Sequence, residues 1–198
     1  LSIRRQRQMC IRDRYDGDVI RINSQSGKGG IGYLLQQKYG VDLPKKFREK
    51  VGYTVKSVSD HQHKELTPDE VYEVFRSNFV NKETALKITE AHYKQENGGI
   101  TATVTADYKG STAVYTGSGN GRLDAVSDAI KNGLGFSYSL VTYNEHAIEV
   151  GSKSKAAAYV EICDKNGNSF WGAGIHTDII NSSVSALVSA INNSDMVK

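Results

Sequence analysis

The spacing of apolar residues changes near residue 85 and divides the chain into a helical part and a strand-rich part. After Pro44, apolar side chains recur every three or four residues (Phe47, Val51 and Val55), which is the period of a helix. From Ala85 onward the period is two, the period of a half-buried strand. The pattern predicts an α+β fold with a small helical module over residues 15–82 and a second domain over residues 83–198.

Local signals fix the elements of the helical module. Residues 18–22 read as a short strand, and residues 31–39 as a short helix ending at Gly40. Pro44 opens a helix through about Ser59. Thr67-Pro68-Asp69-Glu70 predicts a helix start with a capping box, because Thr67 can cap, Pro68 suits the first helical position and Glu70 can reach back.

The second domain repeats one order of elements. Residues 100–108 and 111–116 form a predicted hairpin, and a helix follows the glycine-rich run 117–121. Residues 138–143, 156–162 and 170–174 then predict three strands, with Asn166-Gly167 as a hairpin turn, and a last helix follows. The expected fold is a duplicated β-β-β-α unit in which each helix covers one face of its sheet. Four residues are expected to share the apolar face of the strand 156–162, with Cys163 pointing away from it: Ala156, Ala158, Val160 and Ile162.

The basic character of the chain lies in its first fourteen residues. Residues 1–14 have no periodicity or turn chemistry and resemble the translation of a transposase-type sequencing-library adapter, so we interpret them as not native. They hold five Arg and one Asp, which leaves 20 Lys and Arg against 21 Asp and Glu. A net charge of about −1 removes the argument for a nucleic-acid or acidic-membrane partner.

Cysteine content and hydropathy bear on the cellular compartment of the protein. Cys163 is the one cysteine outside residues 1–14, so an intrachain disulfide is not expected, and this fits a cytoplasmic protein. No apolar run approaches the roughly 20 residues of a membrane span.

Few residues suggest catalysis or metal binding. The run Ser26–Gly30 lacks the Ser or Thr of a phosphate-binding loop, and we interpret it as a flexible hinge. His61 and His63 are more typical of a solvated loop than of a metal site. His146 and His176 are interpreted as structural, and Cys163 has no partners of a nucleophile. We therefore expect no catalytic residue, metal or cofactor in this chain, which is interpreted as a ligand-binding or assembly module.

The glycines at 117–121 precede a helix start and can serve two purposes. They let a ligand approach the backbone, where the free N–H groups of a first helical turn suit an anion such as a carboxylate. A tight strand-to-helix turn explains them equally well.

Several motifs resemble the C-terminal part of 2-isopropylmalate synthases. Arg21–Gly30 with Asp42-Leu43-Pro44 is similar to their linker subdomain. Four further motifs are similar to their regulatory domain: Gly119-Asn120-Gly121, Tyr143–Ala147, Ala156–Glu161 and Gly172–Ile175. The resemblance runs in the family's order over residues 15–193. One departure is Arg122, where this family usually has Pro.

The resemblance implies a homodimeric cytoplasmic enzyme that condenses acetyl-CoA with 2-oxoisovalerate in leucine biosynthesis and is feedback-inhibited by leucine. The catalytic residues and a divalent metal would lie in an N-terminal TIM barrel outside this chain, so the fragment is predicted to be inactive alone. The regulatory domain would bind leucine as an allosteric effector. The expected leucine-binding residues are Gly119, Gly121, Leu123, Asp124, Tyr143, Ala156, Ala158 and Ile175, with Asp124 pairing with the ammonium group.

Two alternatives stay open. The chain can belong to a citramalate or homocitrate synthase, whose effector would be isoleucine or lysine, or it can be a non-enzymatic dimerisation module.

Overall fold

A computed structural model of the chain describes residues 28–96, 98–149, 151 and 154–197. The predicted strand at residues 18–22 lies outside these ranges. The helical part contains α1 (Lys28–Tyr39), α2 (Lys45–Gln62) and α3 (Pro68–Phe79). The first unit consists of β1 (Leu86–Glu96), β2 (Gly99–Tyr108), β3 (Ser111–Gly119) and α4 (Arg122–Leu134). The second unit consists of β4 (Tyr138–Ala147), β5 (Ala156–Asp164), β6 (Ser169–His176) and α5 (Ile179–Asn192), and a short 3₁₀ turn (Asp195–Val197) follows.

The helical segment, residues 28–82, largely follows the sequence prediction. Helix α1 stops at Gly40, whose φ of +66° few other residues adopt. The capping box of α3 is present: the Glu70 N–H donates to Thr67 Oγ1, and the Thr67 N–H donates to Glu70 Oε2. The hinge prediction for Ser26–Gly30 is wrong in part, because α1 already begins at Lys28.

The duplicated β-β-β-α arrangement is confirmed. The two sheets have the strand orders β1-β2-β3 and β4-β5-β6, and every neighbouring pair is antiparallel. The first strand of each sheet carries a bulge, between Ile88 and Glu90 in β1 and between Leu140 and Thr142 in β4.

Small residues let each helix lie directly on its sheet. A Cβ on Gly117 of β3 would meet the backbone of α4, including the Ala125 carbonyl oxygen at 2.6 Å. A Cβ on Gly172 of β6 would meet the backbone of α5 at Ala186 and Ala190 in the same way. The two glycines therefore play matching structural roles in the two units.

The two units share one hydrophobic core, which we call the first cluster. The inward faces of β2 and β5, the buried faces of α4 and α5, and residues of β1 contribute to it. Its central side chains are fully buried: Ala102, Val104, Ala106, Ala125, Val126, Ala129, Ile130, Ala158, Val160, Ile162, Ala186, Leu187 and Ile191.

The other face of the second sheet is buried against the helical segment, in the second cluster. Phe47 of α2 stacks on Trp171 of β6 with ring centroids 4.8 Å apart, and it also contacts Tyr159 of β5. Tyr159 and Ala173 are fully buried there. The expectation of one apolar face on β5 is therefore incomplete, because α2 and α3 cover the second face.

Asparagine side chains hold the end of α5 to the segment before β1. The Asn192 Oδ1 atom accepts from the N–H groups of Ala85 and Leu86, each over 2.9 Å. Its amide donates to the carbonyls of Lys82 and Leu86, each over 2.8 Å. Asn192 is buried, so these bonds satisfy backbone groups that water does not reach. They fix the start of the first unit against the end of the second.

Candidate functional site

A cavity of about 640 Å³ lies where the first turns of α4 and α5 approach strand β4. Its size is in the range of small-molecule sites. Both units contribute to its wall, so the site exists only when the duplicated domain is assembled. The lining residues are Gly121, Arg122, Leu123, Asp124, Leu140, Tyr143, Glu145, Ile179, Ile180, Ser183 and Val184.

The N-terminus of α4 supplies hydrogen-bond donors to the cavity. Gly121 is the N-cap residue, and no side chain caps this helix. The first intrahelical bond runs from the Ala125 N–H to the Gly121 carbonyl over 2.9 Å, so the preceding N–H groups have no partner within the helix. Together with the helix dipole they favour an anion at this position.

A polar cluster of three side chains from β4 and α5 forms another part of the wall. The Tyr143 hydroxyl donates to the Glu145 carboxylate, and it lies 2.7 Å from Ser183 Oγ. Ser183 Oγ is also 2.7 Å from the Ile179 carbonyl oxygen, to which it donates. Burial, followed by the hydrogen bond to Glu145, raises the pKa of Tyr143 to about 12. The hydroxyl therefore stays protonated and remains a hydrogen-bond donor to the Glu145 carboxylate.

The remaining wall is aliphatic. Leu123, Leu140, Ile179, Ile180 and Val184 line it. Leu140 and Ile179 are 36% and 46% exposed, so part of this apolar surface is open to solvent. The cavity therefore combines backbone N–H groups that can bind an anion, a carboxylate and an apolar surface within one small volume.

The side chains of Arg122 and Asp124 both contact neighbouring groups of the protein. The Arg122 guanidinium lies 5.6 Å from the centroid of the Tyr93 ring, in a cation–π arrangement. The Asp124 Oδ2 atom accepts from the Asn120 N–H over 3.0 Å, so this carboxylate already serves the turn before α4.

Four of the eight residues expected to bind leucine line this cavity, namely Gly121, Leu123, Asp124 and Tyr143. The other four do not line it. Gly119 packs beneath α4, where a Cβ would lie 2.6 Å from the Ala125 nitrogen. Ala158 is fully buried in the first cluster, and the Ala156 carbonyl accepts from Ser182 Oγ over 2.9 Å.

Ile175 lies on the far side of the second sheet from the cavity. It packs against the second cluster, and its backbone is bonded to Asn81. The alternation along β6 explains this position, since Gly172 and Gly174 face α5 while Trp171, Ala173 and Ile175 face the helical segment.

The sequence prediction missed the contribution of the α5 N-terminus. Asp178 caps this helix by accepting from the Asn181 N–H over 2.8 Å, and Ile179 and Ile180 follow at once. An Asp followed by two isoleucines was the available signal.

Other candidate groups have structural partners. The His61 ring bonds to the Ser57 carbonyl oxygen, and His176 Nδ1 accepts from the Asp178 N–H. Within the ranges that the structure describes, no three His, Cys, Asp or Glu side chains cluster as a metal site would require. Among the helices described, none is long and apolar enough to cross a membrane.

Comparison with known proteins places this domain in a family. A family model described as the LeuA allosteric (dimerisation) domain matches residues 65–194, which include α3 and both units. The chain belongs to the LeuA allosteric domain family. In the LeuA domain the cavity lies between the two β-β-β-α units, at the junction of both helix starts with β4.

The similar curated proteins are called 2-isopropylmalate synthases. The protein from Desulfitobacterium hafniense is 53% identical over 178 residues, which cover 90% of this chain and 32% of the relative. The protein from Helicobacter hepaticus is 42% identical over 186 residues, covering 90% of this chain and 33% of the relative. That from Thermobifida fusca is 34% identical over 174 residues. The chain spans about a third of the length of these relatives.

Proposed function

We propose that this chain is the regulatory part of a 2-isopropylmalate synthase and that it binds leucine in the cavity between α4, β4 and α5. The cavity itself carries the proposal, because it offers a separate surface to each part of an amino acid. The family match and the names of the relatives support leucine as the effector of feedback inhibition.

In this proposal the leucine carboxylate lies at the start of α4, against the N–H groups that Gly121 leaves uncapped, with Arg122 beside it. Its ammonium group faces Glu145. This differs from the pairing with Asp124 expected from the sequence, since Asp124 already accepts from Asn120 while Glu145 extends the polar wall with Tyr143.

The isobutyl group occupies the aliphatic wall, against Leu140, Ile180 and Val184. Burying a leucine side chain contributes roughly 1.5–3 kcal/mol. A ligand shorter by one methylene loses about 10- to 200-fold in affinity. Valine is therefore expected to bind measurably but more weakly than leucine.

The whole protein is proposed to condense acetyl-CoA with 2-oxoisovalerate in the cytoplasm, using a metal-dependent barrel that precedes the present domains. The relatives are about three times as long as the matched region, which leaves room for such a barrel. This fragment alone is expected to lack that activity.

A homodimer is proposed as the working assembly. The family description names a dimerisation domain. Four of the seven large apolar side chains that are most exposed among the described residues lie in β4 or at the start of α5: Leu140, Val141, Tyr143 and Ile179. Exposed apolar patches of this kind mark interaction surfaces.

Titration calorimetry tests the effector assignment. L-Leucine, L-isoleucine and L-lysine are titrated separately into the chain, with D-leucine as the stereochemical control. Leucine is expected to bind most tightly. Tighter binding of isoleucine or lysine would favour the citramalate or homocitrate synthase alternative, and no heat with any of the three would favour a module without effector.

A further inference from the structure

Strand β4 presents different groups on its two faces. Tyr143 and Glu145 line the cavity, whereas His146 points to the opposite face, toward the helical segment. The ring of His146 lies 5.6 Å from that of Tyr159, on the face of the second sheet that α2 and α3 cover. In the edge strand β4, Glu145 therefore lines the cavity, and the next residue, His146, contacts the helical segment.

His146 holds the α1–α2 loop, residues 40–44, through a single nitrogen. Its Nε2 atom lies 2.9 Å from the Gly40 carbonyl oxygen and 3.3 Å from the Asp42 backbone nitrogen. A neutral imidazole nitrogen either carries a hydrogen and donates, or lacks one and accepts. The two bonds therefore exclude each other, and the contact has two alternative states.

The loop is well placed to respond to a change in this contact. From the other side, the Arg48 side chain donates to the Leu43 carbonyl and to the Asp42 carboxylate, each over 2.6 Å. Gly40 lies so close to the residue that follows β4 that a Cβ on it would stand 2.5 Å from the Ile148 carbonyl oxygen. The loop is thus held between α2 and β4, and a small displacement of β4 reaches it directly.

We propose that His146 couples occupancy of the cavity to the α1–α2 loop by exchanging its bond to Gly40 for its bond to Asp42. The inference rests on the proposed function, since it requires an amino acid in the cavity. An ammonium group at Glu145 competes with the Tyr143 hydroxyl for that carboxylate and so alters β4 beside His146. His146 is a positioning residue in this account: it does not contact the effector.

Two variants separate a coupling role from a structural one. His146→Phe keeps a ring against Tyr159 but removes both hydrogen bonds. His146→Gln places an amide near the position of Nε2, and an amide can donate to Gly40 and accept from Asp42 at the same time. The glutamine variant therefore restores the attachment of the loop but not the exchange between two states.

The experiment measures three quantities with and without saturating L-leucine. Calorimetry reports leucine binding, amide hydrogen exchange reports the protection of residues 40–43, and ¹H–¹⁵N spectra of the His146 ring report which nitrogen carries the hydrogen. In the wild-type chain, leucine is expected to change exchange in the loop by about threefold or more and to shift the His146 ring nitrogens.

Both variants are expected to bind leucine within about threefold of wild type, since neither change reaches the cavity wall. In the phenylalanine variant the amide hydrogens of the loop should exchange fast whether leucine is present or not. In the glutamine variant the loop amides should be protected as in wild type, but their exchange should not change when leucine binds. Circular dichroism checks folding, and the glutamine variant carries the test if the phenylalanine variant unfolds.

The outcomes that overturn the inference are distinct from failure of the proposed function. Leucine binding to wild type with an unchanged loop and unchanged His146 nitrogens rejects the coupling alone. A response of the phenylalanine variant equal to that of wild type also rejects it. Absence of leucine binding in calorimetry rejects the proposed function, and the coupling with it.

Discussion

Asn81 pairs with Ile175 as a neighbouring strand residue would. The Asn81 side-chain amide donates to the Ile175 carbonyl over 3.1 Å, and the Ile175 N–H donates to Asn81 Oδ1 over 3.0 Å. The Asn81 backbone N–H also donates to the Ala173 carbonyl over 3.0 Å. The helical segment thereby attaches to the free edge of β6, four residues before Ile179 of the cavity.

Asn81→Ala is expected to lower the free energy of unfolding by about 2 kcal/mol. Part of this is the loss of two hydrogen bonds, and part is the strain of an alanine at a φ of +47°. Asn81→Gly removes the bonds without the strain and should cost less. Urea denaturation of both variants measures the difference, with the exposed Asn144→Ala as a matched control. An alanine variant as stable as the control would contradict the role of this pairing.

The same substitution should have opposite effects at two neighbouring glycines. Gly117→Ser places a Cβ against the backbone of α4 and should cost about 3 kcal/mol, because neither backbone can yield cheaply. Gly121 has open space around its Cα and an extended φ of −142°. Gly121→Ser should stabilise the fold slightly, because serine caps α4.

At Gly121, the substitution to serine that stabilises the fold should weaken the binding of leucine. A serine hydroxyl that accepts from the first turn of α4 takes the donors proposed for the leucine carboxylate, so affinity should fall about tenfold. Thermal unfolding and calorimetry of the Gly121 variant measure the two effects. A variant that is more stable and binds leucine as tightly as wild type would place the carboxylate elsewhere.

Acid should weaken the start of α3 through Glu70. The ion pair with Lys64, then the hydrogen bond from the Thr67 backbone, lowers the pKa of Glu70 from 4.5 to about 2. The contribution of this group to stability is therefore complete above about pH 4.5 and is lost as the pH falls toward 2. The melting temperatures of wild type and Glu70→Gln should differ at neutral pH and converge near pH 2. A constant difference across this range would contradict the capping contribution.

The proposed dimer should depend on the exposed bulge of β4. Val141 is 52% exposed and lies at the irregularity between Leu140 and Thr142. Val141→Lys is expected to weaken the dimer at least about tenfold while leaving the monomer folded, because it places a charge in an apolar contact. Sedimentation equilibrium measures the dissociation constant, with Val114→Lys on the first sheet as the control. Equal dissociation constants for the two variants would move the interface away from β4.

The sequence predicted the order of elements well, because local periods and caps determine it. The capping box at Thr67, the helix end at Gly40 and the duplicated units all depend on residues close in the chain. Which face of a strand meets which partner depends instead on distant segments. Tyr159 and Trp171 make the second face of β5 and β6 apolar too, but no local pattern in the sequence indicates that Phe47 covers it.

The misplacement of Ile175 follows from the same limit. The residues expected to bind leucine include Ile175 beside Ala156 and Ala158, although the alternation along β6 turns Ile175 toward the helical segment. The sequence does not indicate that α5 contributes to the cavity, because the two helix starts meet only in the folded domain. They lie 57 residues apart in sequence, counted from Arg122 to Ile179.

Nuclear Overhauser contacts from ¹³C-methyl-labelled L-leucine to the bound chain test the central proposal most directly. The methyl groups of the ligand are predicted to contact those of Leu140, Ile180 and Val184, which line the cavity. Leu140→Ala should remove the first contact and weaken binding while leaving the others in place. Saturating leucine with contacts to Ile175 or Ala158, and none to Leu140, Ile180 or Val184, would contradict the proposed site.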